Sequence, residues 1–580
     1  FVKIGNFNSI KCSGNWMAAP KLDNDGCLFY KAVECVSNEL IKLGIAIDGG
    51  KDSLSMATKL NSENNNNKYV KSPLTFVLSS YVPVPNVYNK VTPDFKKENN
   101  IIMFVELGNS VKNISGSALY QTYNILGLLR DTPSPDLEKV KKVFLIIQKY
   151  IIHINNKQKV IYSGHDISDG GLITTVLEMA FSGNKGININ IPVELQIKDY
   201  KNFINLMFSE DLGIVLEVSN NNYYKLFEEL KEITPTYLLG KVTKEQNIVI
   251  KSKDALYINS PMHKLRNYWE ATSFALEEMQ TPKKLVQDEK FHTYIREEIP
   301  YSSYNYQNEK FILPNYIHSK YKPKAGIIRE VGSNGEKEMA AAFYLANFDV
   351  YDINTKMLLI DPEIINKMDV IAFVGGFSFS DTLGSANGWA STLLHNEKIS
   401  LELKKFRLNK NKYALGVCNG FQLLTLLGWF DDILENIFHT LKFDNYKIKI
   451  TNNDSKRFES RFVNTKISTT QSPFLENNVG DILGVWSAHG EGKLVIYDND
   501  EPINYKHLVY NDFQRYSPIK YIDDKQSPTE KYPFNPNGSY NGMTSLVSHD
   551  NRILGMMPHV ERSYLKSQWP LLPNTMFEDN

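Results

Sequence analysis

Cys418 lies in the stretch "GVCNGFQLLTLLGW" (416–429), as Gly-x-Cys-x-Gly between an apolar run and a segment of helical periodicity. That is the cysteine form of a nucleophile elbow, in which glycines permit a sharp strand-to-helix turn and leave the reactive atom exposed at its tip. At a helix start the dipole and free N–H groups favour the thiolate, which is the nucleophilic form of cysteine. An isolated cysteine is more often a buried structural residue; the flanking glycines and the strand-to-helix context weigh against that reading here. A thiolate needs a proton partner, and "RILGMMPHVERS" (552–563) places His559 two positions before Glu561. Read as an extended strand, positions i and i+2 project from one face, so a base and the carboxylate that orients it could serve Cys418 as a Cys–His–Glu triad. Alone, "HVE" reads as a polar surface strand. It gains weight from the Gly-Gly turn of "DVIAFVGGF" (369–377), whose N–H groups at Gly376 and Phe377, with that of Asn419, could stabilise an oxyanion.

These residues need a frame that brings strand ends together. "AGIIRE" (325–330), "DVYDIN" (349–354), "DVIAFVGGF" and "KYALGV" (412–417) read as short apolar strands. "SNGEKEMAAAFYLANF" (333–348) reads as an amphipathic helix capped by Ser333 or Asn334. Strands alternating with helices imply an open, mostly parallel, flavodoxin-like α/β sheet whose functional loops lie at the strand C-terminal ends. Before this region, 281–322 is polar, studded with Pro and Tyr, and without sustained periodicity, as in an interdomain linker. The Asn-rich stretch 61–70 reads as a tolerated surface insertion.

In the first half, "GIAIDGGKDSLSM" (44–56) sets Lys51 and two glycines after an apolar strand, which suits phosphate contact. "GHDISDGG" (164–171) gathers two aspartates, a histidine, a serine and glycines before a helix, a donor set suited to Mg²⁺. The alternative for the latter is a polar turn in which Ser168 or Asp169 caps the next helix, and the residues alone leave the two readings level.

Composition narrows the class. The chain has 580 residues, enough for roughly two to four domains. It carries 65 Lys plus Arg against 65 Asp plus Glu, so no net field draws nucleic acid or an anionic membrane. No apolar run is long enough to span a bilayer. Four scattered cysteines (Cys12, Cys27, Cys35 and Cys418) make neither a disulfide framework nor a CxxC-type zinc site. That usage fits a reducing, cytoplasmic setting. The opening "FVKIGNFNSI" has no charged or apolar leader pattern and no Met, as expected of a piece of a longer polypeptide.

"GVCNGFQLL" with "PHVER" resembles a class I glutamine amidotransferase. "GGFSFSDTLGSANGWA" (375–390), "RFESRFVNTKI" (457–467), "SAHGEGK" (487–493) and "YPFNPNGSYNG" (532–542) are similar to the amidotransferase domain of the large, single-chain phosphoribosylformylglycinamidine synthase family. "KCSGNWMAAP" (11–20), "GIAIDGGKDSLSM", "SPLTFVLSSY" (72–81) and "YSGHDISDGGLITTVLEMAFSGNKGI" (162–187) resemble that family's synthetase region, which is built from aminoimidazole-ribonucleotide (AIR)-synthetase-like modules. Two departures stand out: the more usual bacterial "PHPER" reads "PHVER", and Ser380 takes the small-residue position of "GGFSY-small-D". Neither touches an inferred catalytic atom.

The resemblance implies an AIR-synthetase-like α+β module in two parts, 1–110 and 111–310, a linker at 311–322 and an amidotransferase domain at 323–580. It implies that Cys418 attacks the glutamine amide to give a glutamyl thioester and ammonia, with His559 and Glu561 completing the triad. Gln422, His489 and Glu491 would shape the glutamine pocket. Asp166 would bind Mg²⁺, and Lys51 and Ser168 a nucleotide: ATP, or ADP retained at a site that no longer turns over. Formylglycinamide ribonucleotide, ATP and glutamine would be the substrates, and the missing N-terminal half of the polypeptide the partner. The alternatives are a class I amidotransferase for another acceptor, which the first-half motifs argue against, and a degenerate scaffold copy, which would be expected to have lost part of the triad.

Overall fold

The computed structural model describes all residues except 61–67, 109–111, 129–131, 133–135, 153–158, 254, 297–320, 438–445, 504–511 and 571–580. The chain divides into two compact units, Phe1–Glu270 and Ala271–Asn580. Most of the Asn-rich stretch and the expected linker residues 311–320 lie outside the described residues.

In the first unit, Lys11–Met17 pairs parallel with Ala46–Gly50 and antiparallel with Thr75–Tyr81. A second, seven-stranded mixed sheet runs in the order Ala255–Pro261, Asn247–Ser252, Gly186–Asn190, Thr236–Thr243, Ile101–Glu106, Gly213–Val218, Ile161–Asp166. Its strand "IIMFVE" is apolar at nearly every position because both faces are covered. Ile102 and Phe104 enter one core with Val176, Met179 and Ile248, while Met103 and Val105 enter another with Val143, Leu226 and Leu230. The small sheet differs: Ile47, Val77 and Leu78 are exposed, and helix Asp25–Leu43 has no buried residue.

The second unit is built on a six-stranded sheet in the order Asp349–Asn354, Lys324–Arg329, Val370–Phe373, Tyr413–Val417, Ile553–Met556, Ser545–Val547. The first five strands are parallel and the last is an antiparallel edge. The four strands expected between 325 and 417 form with small shifts in their ends. Two three-stranded sheets are added, one of which joins Glu459–Ile467, Ile482–His489 and Ile519–Tyr521.

Three local expectations fail for identifiable reasons. The helix expected at 333–348 is Glu336–Leu345, and its cap is Gly335 at φ 98°, with no side-chain cap bond. Ser333 and Asn334 are committed elsewhere: Ser333 Oγ accepts from Glu330 N at 2.8 Å, and Asn334 N donates to Gly375 O at 2.8 Å. Similarly, Gly170 at φ 85° caps Gly171–Gly183, so neither Ser168 nor Asp169 does. Finally, Lys283–Ile295, read as linker, is a helix. Its anchors are polar, Glu289 to Arg461 at 2.7 Å and, just before the helix, Thr281 to Arg457 at 3.0 Å, so apolar periodicity does not reveal it. Among the described residues no helix is long and apolar enough to cross a membrane.

Candidate active site

Cys418 sits at the C-terminal end of strand Tyr413–Val417, immediately before helix Asn419–Leu426, with φ 52° and ψ −110°. This strained turn survives because its neighbours can pass very close. A Cβ on Gly420 would lie 2.0 Å from Phe373 O, and one on Gly416 would lie 2.6 Å from Gly420 O. The two glycines of the motif are therefore required by packing around the elbow.

His559 reaches the same point from the next strand of the sheet. A Cβ on Gly375 would come within 2.7 Å of His559 Cε1 and 3.3 Å of Cys418 Cβ, so all three residues converge there. Strand Ile482–His489 holds both reacting groups through its main chain: Cys418 Sγ lies 3.4 Å from Ala488 O, and His559 N donates to Trp486 O at 2.7 Å. Glu561 Oε1 lies 2.5 Å from His559 Nδ1, and both side chains are almost wholly buried. The i, i+2 strand geometry expected for "HVE" is not what brings them together. The strand ends at Met556, and His559 precedes a single 3-10 turn, Val560–Arg562, that folds Glu561 back onto its ring.

Burial opposes a charge on His559, but the opposite charges of Glu561 and Cys418, each with a hydrogen bond, outweigh it and raise its pKa from 6.5 to about 10. At neutral pH this favours an imidazolium beside the sulfur.

Donors for a developing oxyanion lie next to the sulfur. Asn419 opens its helix, so its N–H has no carbonyl one turn back. Gly376, at φ 119°, sits opposite Ser333 in an antiparallel bridge closed by the N–H groups of Asn334 and Phe377, and its own N–H makes neither of those bonds. The N–H of Phe377, expected to share this role, already donates to Gly332 O at 2.9 Å. The Phe377 ring instead lines an open cleft of about 930 Å³, tilted against Phe458 with ring centres 5.7 Å apart.

The other expected pocket residues fall into two groups. Glu491 lines the cleft. Gln422 is a brace beneath it, donating to Glu491 O at 2.6 Å and accepting from Asn419 Nδ2 at 3.1 Å. His489 is buried, with its ring between Ser487 Oγ at 2.8 Å and Asn453 Oδ1 at 3.0 Å. The cleft also presents Asp381, Asn453, Arg457 and Lys493, which the sequence reading had assigned no role. Asp381 belongs to a quoted motif, but the run of left-handed residues Phe379, Ser380 and Asp381 that turns it has no sequence signature. Burial raises the Asp381 pKa against hydrogen bonds from Ser385, the Ala386 amide and Asn419.

In the first unit, Asp166 and Ser168 lie exposed at the end of strand Ile161–Asp166, where Gly170 and Gly171 both take positive φ. His165 Nδ1 is 3.4 Å from Asp166 Oδ1, and its Nε2 is 3.3 Å from Glu178 Oε2. Glu210, which the sequence reading passed over, ties this loop down by accepting from Gly170 N at 2.8 Å and Ala118 N at 2.7 Å. Lys51 is exposed, its Nζ 2.6 Å from Ser53 Oγ, and among the described residues no hydrogen bond or ion pair links it to Asp166 or Ser168. No cluster of three or more His, Cys, Asp or Glu side chains able to hold a metal occurs among the described residues. An exposed lone carboxylate fits Mg²⁺ only if phosphate and water complete its shell.

Three family matches divide the chain: an FGAR-AT PurM_N-like domain over 1–83, the AIR synthase related protein C-terminal domain over 98–253, and a CobB/CobQ-like glutamine amidotransferase domain over 322–580. Phosphoribosylformylglycinamidine synthase of Dictyostelium discoideum is 38% identical over 99% of this chain and 43% of its own length. A probable chloroplastic/mitochondrial phosphoribosylformylglycinamidine synthase of Arabidopsis thaliana is 39% identical over 99% of this chain and 39% of its own. Among solved structures, Thermotoga maritima PurL complexed with ATP is 14% identical, covering 45% of this chain and 38% of that one, with a TM-score of 0.30, too distant to support an argument. The chain spans about two fifths of the length of the curated relatives it matches. The chain thus joins a synthetase-type α+β module, matched over 1–83 and 98–253, to a CobB/CobQ-like glutamine amidotransferase domain, and over 99% of its length it is similar to phosphoribosylformylglycinamidine synthases.

Proposed function

We propose that this chain supplies the glutaminase, and part of the synthetase, of a glutamine-dependent, ATP-driven amidation of formylglycinamide ribonucleotide to its amidine in purine biosynthesis. One observation carries the glutaminase part: Cys418 and His559 are held on alternate carbonyls of one strand, those of Ala488 and Trp486, with Glu561 2.5 Å from the imidazole. The Cys418 thiolate adds to the glutamine side-chain carbonyl, and the N–H groups of Asn419 and Gly376 take the oxyanion. His559 gives its proton to the departing nitrogen, so ammonia leaves and a glutamyl thioester remains. Water then attacks the thioester with His559 as base, releasing glutamate and restoring the pair. Glu561 holds the ring in one orientation throughout and stabilises its charge. Glu491 and Asp381 bound the cleft that would receive the amino acid end of glutamine, with Gln422 bracing its floor.

In the synthetase part, Asp166 would hold Mg²⁺, with Ser168 and Lys51 toward a nucleotide; the bound ion would neutralise phosphate charge. The partner is the remainder of the polypeptide, consistent with relatives more than twice as long and with the exposed apolar positions on the small sheet. We place the two synthetase parts at 1–110 and 111–310, the linker at 311–322 and the amidotransferase domain at 323–580, in a cytoplasmic enzyme. Ammonia release from glutamine, measured beside Cys418→Ala, tests the glutaminase reading: activity absent from the variant supports it, and equal release from both refutes it for this chain.

A further inference from the structure

We infer that His489 is a positioning residue, a neutral imidazole of fixed tautomer that holds the cleft wall Asn453–Arg457 against the strand on which Cys418 and His559 rest. The inference builds on the glutaminase reading above. Asn453 Nδ2 donates to two carbonyls, His489 O at 2.7 Å and Arg457 O at 3.0 Å. Both acceptors are carbonyls, so the amide orientation is determined, and the atom facing His489 Nδ1 at 3.0 Å is the acceptor Oδ1. Nδ1 therefore carries the proton. Nε2 is left with its lone pair and accepts from the Ser487 hydroxyl at 2.8 Å. With the Ser487 proton used, Tyr521 is the donor in the 3.1 Å contact between the two hydroxyls. The chain of bonds runs Tyr521, Ser487, His489, Asn453 in one direction, with every member of it buried or nearly so.

The ring packs directly on Gly492, where a Cβ would lie 2.4 Å from His489 Cε1. Burial and the neighbouring His559 charge both oppose a second proton on the ring. At its far end the network reaches substrate space, for Asn453 and Arg457 line the cleft with Lys456 and Phe458. At its near end it is continuous with Trp486 and Ala488, whose carbonyls hold His559 N and Cys418 Sγ. His489 itself touches neither the sulfur nor the cleft. Its loss should loosen the wall that receives glutamine more than it disturbs the reacting pair.

The test contrasts two amides in the full chain. An asparagine side chain can place its N–H near the Nδ1 position, whereas a glutamine amide falls at the Nε2 position and leaves Asn453 Oδ1 without a donor. His489→Gln should raise KM for glutamine roughly tenfold with kcat changed less than about threefold, the size expected for one buried acceptor left unsatisfied. His489→Asn should recover most of that KM. Equal KM in both variants and the wild type, or a collapse of kcat at unchanged KM, overturns the inference. Imidazole ¹⁵N spectra of the wild-type chain, with the His489 signal identified by its loss in His489→Asn, provide a readout that needs no turnover. A single neutral Nδ1–H tautomer at pH 7 supports the inference, and an Nε2–H tautomer or an imidazolium refutes it. If the wild type releases no more ammonia than Cys418→Ala, the glutaminase reading fails and this role fails with it, whatever the tautomer.

Discussion

At the scale of single residues, two buried histidines a short distance apart are driven in opposite directions. His559 has acidic partners that hold its proton to about pH 10, whereas His489 has only neutral hydrogen-bond partners and a cationic neighbour and is pushed to about 3. The consequences for stability have opposite signs. A raised folded pKa favours the folded state fully below about pH 6.5, and this contribution is lost as pH climbs toward 10. A lowered one leaves stability intact above about 6.5 and removes it as pH falls toward 3, by up to about 1.4 kcal/mol per pH unit. Thermal melts should therefore show the wild type losing stability more steeply than His489→Asn between pH 6 and 4.5. They should also show the advantage of wild type over Glu561→Gln shrinking between pH 7 and 10. Parallel curves would remove the charge assignments. The triad itself was legible in the sequence because nucleophile, base and orienting acid each have a characteristic residue type. The role of His489 was not, because a histidine in "SAHGEGK" looks the same whether it faces substrate or is sealed behind the wall.

At the scale of elements, the glycines of the elbow are the part that sequence motif and packing explain together. Gly420→Ala would drive a methyl into Phe373 O, and its glutaminase activity should fall to that of Cys418→Ala, with a loss of stability of about 2 kcal/mol or more in denaturant melts. Near-normal activity in that variant would show that the turn can open without consequence. Gly375→Ala makes a more selective cut. Its added methyl meets the edge of the His559 ring, so activity should drop at least about a hundredfold, the scale of losing a positioned acid-base group, while the sheet remains folded by circular dichroism. The four strands between 325 and 417 and their parallel sheet followed from apolar runs alternating with helical segments; the strand order did not. Helix caps did not, because Ser333 and Asn334 are drawn into pairing with the Gly375–Phe377 turn, a contact across the fold that local propensity does not register. The helix Lys283–Ile295 was hidden for a related reason. Its anchor is Arg461, gripped by Glu289 and Glu459 and stacked on Tyr532. Burial works against that arginine's charge while Glu289 and its neighbours sustain it. Glu289→Ala should consequently cost about 1–3 kcal/mol in denaturant melts, less than a fully buried pair because Arg461 retains some solvent contact.

At the scale of the whole molecule, the two compact units have different needs. The second carries one large apolar core and the Cys418, His559 and Glu561 cluster proposed for glutamine cleavage. The first has a covered seven-stranded sheet but also a small sheet whose Ile47, Val77 and Leu78 remain in contact with solvent. With relatives more than twice as long, glutamine cleavage is proposed for the second unit's residues and amidation for a longer polypeptide. The proposed reaction requires Cys418 to form a bond to glutamine, and the most direct measurement is to catch that bond. The chain would be incubated with glutamine labelled in its carbon skeleton, quenched in acid and digested, and the Cys418 peptide examined by mass spectrometry. A glutamyl thioester on Cys418 that disappears at neutral pH and is absent from Cys418→Ala is the predicted result. Ammonia release with no label on Cys418 under any quench time, or label on another residue, would contradict the account.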